Sequence, residues 1–150
     1  MAERLTKAAT RNIFYGGSAF FLAVFVGLTI HTHLYMNSTS APSSQLSESV
    51  VRGKHVWERH SCINCHSLLG EGAYFAPELG NVWRRYGGHE DRENAKAALN
   101  AWMVSQPSGI PGRRQMPQFN LTDQELSDLA DFLKFVSRIN TQGWPPNDAG

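Results

Sequence analysis

The 18 residues from Ile13 to Ile30 contain no ionisable side chain. The wider stretch from Asn12 to Met36 adds only His31 and His33. As a helix it extends roughly 36 Å, enough to cross a hydrocarbon core of about 30 Å with tilt. A buried helix in a soluble core would need apolar neighbours on every side, and the rest of so short a chain cannot supply them. A cleaved leader has an apolar region of about 7–15 residues and ends on an Ala-x-Ala-like site. This run is longer, and no such site follows it. The chain is therefore expected to keep one helix in the lipid bilayer.

Charge sets the orientation. Arg4, Lys7 and Arg11 precede the span against Glu3, and no charge follows it until Glu48. The excess of basic residues places the N-terminus in the cytoplasm and everything after Met36 outside. Tyr15 and Tyr35 stand near the two ends, where amphipathic rings favour the interface. His31 and His33, two residues apart, point to different helix faces and are read as interfacial polar groups. Residues 1–36 thus form the cytoplasmic N-terminus and anchor. Residues 37–47 (NSTSAPSSQLS), uncharged and rich in Ser and Thr, form a linker.

Residues 48–150 read as a small helical domain. They carry 11 basic and 12 acidic side chains, and the whole chain has a net charge of +1, so no basic footprint for nucleic acid exists. No apolar–polar alternation runs long enough to argue for a strand. Four helices are expected. Ser47 caps one running to about His60, and Pro77 to Arg85 forms a short one. Arg92 to Val104 contains the good helix formers Ala95, Lys96, Ala97, Ala98 and Leu99. Thr122 and Glu125 make a capping box for the last helix, whose Leu126, Leu129, Ala130, Leu133 and Val136 follow at helical spacing. That helix is expected to end near Asn140, before Gly143 and Pro145. Four helices and loops rich in Gly and Pro bury little apolar surface, so something else should fill the middle.

Cys62-Ile63-Asn64-Cys65-His66 is a C-x-x-C-H motif, and it uses both cysteines of the chain. Each thiol can add to a vinyl group of haem, and the histidine directly after the second cysteine then reaches the iron. A thioredoxin-like dithiol would need a βαβ context that is missing here, and a zinc site has too few partners. The motif also lies on the exterior side of the span, where c-type haem is attached. One covalent haem c, held by Cys62 and Cys65 with His66 as an axial ligand, is the expectation.

The second axial ligand is sought among the methionines. Met36 stands at the membrane edge, and Met103 sits within a helical pattern where a core role is the default. Met116 lies in Ile110–Phe119, a loop stiffened by Pro111, Gly112 and Pro117, just before the last helix. A thioether on a stiff loop can present its sulfur at small entropic cost. Met116 is therefore expected at the iron, with His55, His60 and His89 as alternatives. His/Met ligation raises the potential and suits an electron carrier. A six-coordinate iron offers no open position for small-molecule catalysis.

With these residues in view, residues 48–150 resemble a class I cytochrome c. Gly53-Lys54-x-x-Trp57 ahead of the C-x-x-C-H resembles that family's first helix, in which a glycine lets the first and last helices cross closely. The resemblance implies that Gly53 meets the last helix near Phe132 or Leu133. It also implies that the Pro77 carbonyl accepts a hydrogen bond from His66 and so orients it. A closer resemblance covers nearly the whole chain. The single span, the short linker, the segment Cys62–Leu79 with its Gly70-Glu71-Gly72-Ala73-Tyr74-Phe75-Ala76-Pro77 stretch, and Gln115-Met116-Pro117-x-Phe119 are similar to the cytochrome c subunit of bacterial nitric oxide reductase.

That resemblance implies an electron-transfer subunit without a catalytic residue of its own. It would sit in the bacterial inner membrane with its haem domain in the periplasm. Soluble cytochrome c or blue-copper donors would reduce it, and it would pass electrons to a large membrane catalytic subunit. The reaction there is 2 NO + 2 e⁻ + 2 H⁺ → N2O + H2O. The resemblance also implies that the Gly70–Leu79 loop docks on the large subunit, and that the backbone oxygens of Gly72 and Tyr74 help hold a Ca²⁺ there. Carbonyl oxygens suit that ion. The pairs Arg84-Arg85 and Arg113-Arg114 are candidates for haem propionates or acidic partner surfaces, with solvated charge as the plain alternative. Two other readings stay open: a free-standing anchored shuttle cytochrome, and the haem-bearing member of a terminal oxidase.

Overall fold

The computed structural model describes residues 6–41, 43–88 and 91–143. His89, Pro145 and the basic residue Arg4 therefore lie outside the described residues. The chain divides into two units, one up to Ser40 and one from Ala41 onwards.

The first unit is one helix. α1 spans Lys7–Tyr35, and Thr6 caps it by accepting the Ala9 N–H at 3.1 Å. None of its described side chains is buried. It is long and apolar enough to cross a membrane. Winding does not stop at Met36: Met36–Ser40 continue as one π-helical turn. Hence the segment expected as a linker starts helical, and Ser43–Gln45 add a short 3₁₀ turn.

The second unit is mostly helical. α2 covers Glu48–Arg59, capped by Ser47 as the sequence predicts. α3 is the short helix Val82–Arg85. α4 covers Arg92–Val104, with Asp91 accepting the Asn94 N–H. α5 covers Asp123–Val136 and begins with the capping box: Thr122 accepts the Glu125 N–H, and Glu125 accepts the Thr122 N–H at 2.9 Å. Two boundaries differ from expectation, and one short strand pair is added. The segment Pro77–Arg85 is helical only over α3, because the backbone before it bonds elsewhere: the Pro77 carbonyl takes His66, and Leu79 N–H reaches the Ser67 carbonyl. α5 stops at Val136 rather than near Asn140, since Ser137 turns its hydroxyl to the Lys134 carbonyl and its own carbonyl accepts from Arg84 at 2.6 Å. A two-residue antiparallel pair, β1 (Ser67–Leu68) with β2 (Glu71–Gly72), closes the turn after the C-x-x-C-H motif. Two residues are too few to show alternation in a sequence.

The core is the crossing of α2 and α5. Val50, Val56 and Trp57 pack on Leu129, Phe132, Leu133 and Val136, and Ala95 and Leu99 of α4 join them. Gly53 stands at the crossing. A Cβ there would lie 2.0 Å from the Asp128 carbonyl oxygen and 2.7 Å from the Phe132 Cβ. Gly53 thus meets α5 at Phe132, in line with the expectation, and the tightest contact is the main chain at Asp128. The Asp128 carboxylate clamps the same crossing. It accepts from Arg52 Nε at 2.8 Å and from the terminal NH2 at 3.0 Å, a bidentate pair.

Candidate functional site

The C-x-x-C-H residues follow α2 directly. Ser61, at φ 52°, ends the helix in the left-handed region, and Cys62–Asn64 form a 3₁₀ turn. The Cys62 carbonyl accepts both the Cys65 N–H at 3.2 Å and the His66 N–H at 2.9 Å. That turn holds the two thiols and the imidazole in one tight unit. Both cysteines are free thiols, Cys62 half-buried and Cys65 exposed. Burial pushes the Cys62 thiol up to about 11. It stays protonated and inert as a dithiol nucleophile at neutral pH.

The loop that follows folds back over this turn. Ala73 N–H donates to the Ile63 carbonyl and Ala76 N–H to the Cys65 carbonyl. Gly72 makes the return possible. Its φ is +118°, and a Cβ would meet the His66 carbonyl oxygen at 2.3 Å. The fold-back brings Pro77 to His66: the Nδ1–H donates to the Pro77 carbonyl at 2.7 Å. Donation there leaves Nε2 as the lone-pair nitrogen, and no described residue bonds it. Burial lowers the His66 pKa, the Pro77 carbonyl works against that, and the Arg85 charge adds to the lowering. The imidazole is therefore neutral and able to coordinate a metal.

His66 opens on a cavity of about 390 Å³, within the ordinary range for cofactor sites. Leu79, Leu99, Leu129 and Leu133 wall it, with Met103 from α4 and Arg85 and Tyr86 at the end of α3. This is the missing middle of the thin helical core. An apolar cleft, one neutral histidine with a bound Nδ1, and two thiols on the same turn fit a covalently attached haem.

The methionines need separate placement. Met103 lines the cavity; Met116 is not among its lining residues and is half-buried on the loop between α4 and α5. Two glutamine amides brace that loop on either side of Met116. Gln115 donates to the Ile110 carbonyl at 2.9 Å and the Arg113 carbonyl at 3.0 Å, and accepts the Gly109 N–H. Gln118 donates to the Val104 and Gln106 carbonyls, each at 3.0 Å. Arg114 ties the loop to the motif's side of the domain, donating to the Phe75 carbonyl and stacking 4.5 Å over the Phe75 ring. His55 bonds Glu58, and His60 meets the Phe119 ring edge-on; neither lines the cavity.

Several residues of the site carry no signal in the sequence. Glu78 is buried, and its carboxylate accepts the Leu69 N–H at 2.7 Å and the Gly80 N–H at 2.9 Å. Burial alone would raise its pKa; the hydrogen bonds its carboxylate accepts, those of Leu69 and Gly80 N–H among them, outweigh that and hold it below the usual carboxylate range. It locks the loop that carries Pro77. The arginine pairs turn mainly to backbone: Arg84 to Ser137, Arg85 to the Glu78 carbonyl, Arg114 to Phe75. Tyr74 and Phe75 are exposed, and Tyr74 donates back to the Gly70 carbonyl. Among the described residues no group of three or more His, Cys, Asp or Glu side chains is placed to hold a metal ion.

Comparison with known proteins agrees with this geometry. Residues 50–137 match the cytochrome c family, a match that implies covalently bound haem c. The chain is 59% identical over its 150 residues to the C subunit of nitric oxide reductase from Halomonas halodenitrificans, and 58% identical to that from Paracoccus denitrificans. Each alignment covers all of both chains. Similarity to the second subunit of cytochrome c oxidase from Alkalihalophilus pseudofirmus is weaker, 26% over 102 residues, or 30% of that protein. A C-x-x-C-H turn opening on an apolar cleft, and full-length identity well above half, have one common explanation: the chain belongs to the family of nitric oxide reductase C subunits, with a cytochrome c domain over residues 50–137.

Proposed function

We propose that this chain is the electron-entry subunit of a nitric oxide reductase. It takes single electrons from soluble periplasmic donors, a cytochrome c or a blue-copper protein, and passes them to a large membrane catalytic subunit that reduces NO to N2O and water. The observation that carries the reading is His66 on the C-x-x-C-H turn, neutral, held by the Pro77 carbonyl and facing the apolar cavity. Full-length similarity to proteins named as the C subunit of that enzyme supplies the partner.

In this reading Cys62 and Cys65 would hold one haem c as thioethers, and His66 Nε2 and the Met116 sulfur would bind its iron. The haem supplies a one-electron couple when bound. The protein does the rest. Pro77 fixes the imidazole's orientation and raises its basicity. Glu78 holds the Pro77 loop, and Gln115, Gln118 and Arg114 present Met116 on a braced segment. Met103 keeps a packing role in the cavity wall. With His66 and Met116 both bound to the iron, the protein would leave no position there for NO.

Residues 1–36 anchor the domain in the inner membrane, N-terminus inside, with 37–47 as the linker and 48–150 as the periplasmic cytochrome domain. The exposed Tyr74–Phe75 loop is the docking edge for the large subunit. The backbone oxygens of Gly72 and Tyr74 would contribute to a Ca²⁺ at that interface. Two carbonyls fall short of the six to eight oxygens Ca²⁺ takes, so the partner would complete the site.

Removing residues 1–36 tests the assignment. The truncated domain should still take up electrons from a soluble donor while its delivery to the membrane-embedded large subunit drops severalfold. Equal delivery by the two forms would contradict the anchored-inlet reading.

A further inference from the structure

A second pocket, polar and of about 230 Å³, shares no residue with the cavity described above. Its walls come from the start of α2, the start of α4 and the second half of α5. Lys134, Arg92 and Arg138 line it, together with Ser47, Ser49 and Asp131. Lys134 is only 8% exposed. Its ammonium makes no ion pair within 4 Å and no hydrogen bond among the described residues; its closest marked contact is the Trp83 ring, 5.8 Å away. Arg92 and Arg138 likewise have no ion-pair partner among the described residues.

The Lys134 stem is buried, while its ammonium keeps access to the pocket's water and lies over the Trp83 ring, so the pocket presents a reachable ammonium with no counter-ion. Burial, then the charges of Arg92 and Arg138, push the Lys134 pKa down, and Asp131 opposes this without reaching ion-pair distance. Three cations face one carboxylate. A bound oxyanion removes the imbalance: it neutralises Lys134, accepts forked hydrogen bonds from arginine, and meets the hydroxyls of Ser47 and Ser49 beside the N-terminal turn of α2.

We propose that this pocket binds a phosphate-class oxyanion through Lys134, Arg92 and Arg138. Two sources share that chemistry, the headgroup of an anionic phospholipid and free phosphate. The site is independent of the haem reading.

The test uses the full-length holoprotein in phosphate-free detergent. One arm titrates inorganic phosphate calorimetrically, with chloride at equal ionic strength as control. The other compares thermal midpoints in phosphatidylcholine nanodiscs with and without phosphatidylglycerol. Saturable phosphate binding, or a midpoint rise specific to phosphatidylglycerol, supports the site and tells which source it accepts. Lys134→Gln should weaken the response at least tenfold. Should that variant fold poorly, the exposed pair Arg92→Gln with Arg138→Gln should give the same loss with the fold intact. Silence to both probes would overturn the proposal and leave the pocket to a carboxylate of a partner protein. A response equalled by chloride, or unchanged in the arginine variants, would overturn it as well.

Discussion

Gly53→Ala should be strongly damaging for the addition of a single methyl group. The added Cβ would lie 2.0 Å from the Asp128 carbonyl oxygen, where ordinary contact begins near 3.5 Å. The obstacle is main chain, so no side chain can swing aside. α2 and α5 must part by about 1.5 Å at their closest point. Overpacking of this kind costs about 3 kcal/mol at the upper end of its usual range. Parting the helices also loosens the bidentate Arg52–Asp128 pair. Alanine's better helix propensity returns about 1 kcal/mol. The net loss is about 2 kcal/mol before the loosened pair is counted, or roughly 8 °C or more in midpoint for a domain of this size. Thermal unfolding of the holoprotein, followed by far-ultraviolet circular dichroism, measures it. A variant as stable as the parent would refute the close crossing of the two helices.

Two further predictions concern the axial ligand and acid stability. Met116→Ala should abolish the weak Met-to-iron absorption of the oxidised protein and lower the potential, whereas Met103→Ala should keep both and cost about 2–5 kcal/mol of packing stability if its side chain is fully covered once haem is bound. The reverse result would move the ligand to Met103, which lines the cavity. For acid stability, hydrogen bonds from Arg52, and then Gln124, hold the Asp128 carboxyl below its ordinary value against the effect of burial, and Glu78 is held low as well. Each folded pKa lies below the unfolded value of about 4, so the stabilisation is fully present above that pH and is lost as pH falls through the folded values. Unfolding free energy should therefore decline below about pH 4, and less steeply in Asp128→Asn, as a pH series of denaturant melts would show.

Local signals were legible in the sequence wherever they act over a few residues. The Ser47 cap, the Thr122–Glu125 box, the bounds of α4 and the C-x-x-C-H turn all rest on contacts within one or two turns of chain. What sequence reading lost is long-range. The front of the Pro77–Arg85 segment was expected to be helical, but its backbone groups are spent on His66 and Ser67. Glu78 looks like a surface acid until Leu69 and Gly80 are seen to converge on it. Gln115 and Gln118 carry no periodic signal, because amides bracing an irregular loop follow no spacing rule. Lys134 falls on the buried side of α5, and no pattern announces a buried lysine. The α2–α5 crossing at Gly53 was legible through family resemblance; its closest neighbour, the Asp128 carbonyl, is a backbone atom that no side-chain pattern reveals.

Mixing the isolated holoprotein, fully reduced under anaerobic conditions, with NO tests most directly whether this chain delivers electrons and performs no NO chemistry. With His66 and Met116 holding the iron, the haem should stay reduced, NO should not be consumed and no N2O should form, while oxidised protein accepts electrons readily from a small donor cytochrome. Sustained NO consumption by the isolated chain, with no large subunit present, would contradict the electron-inlet role.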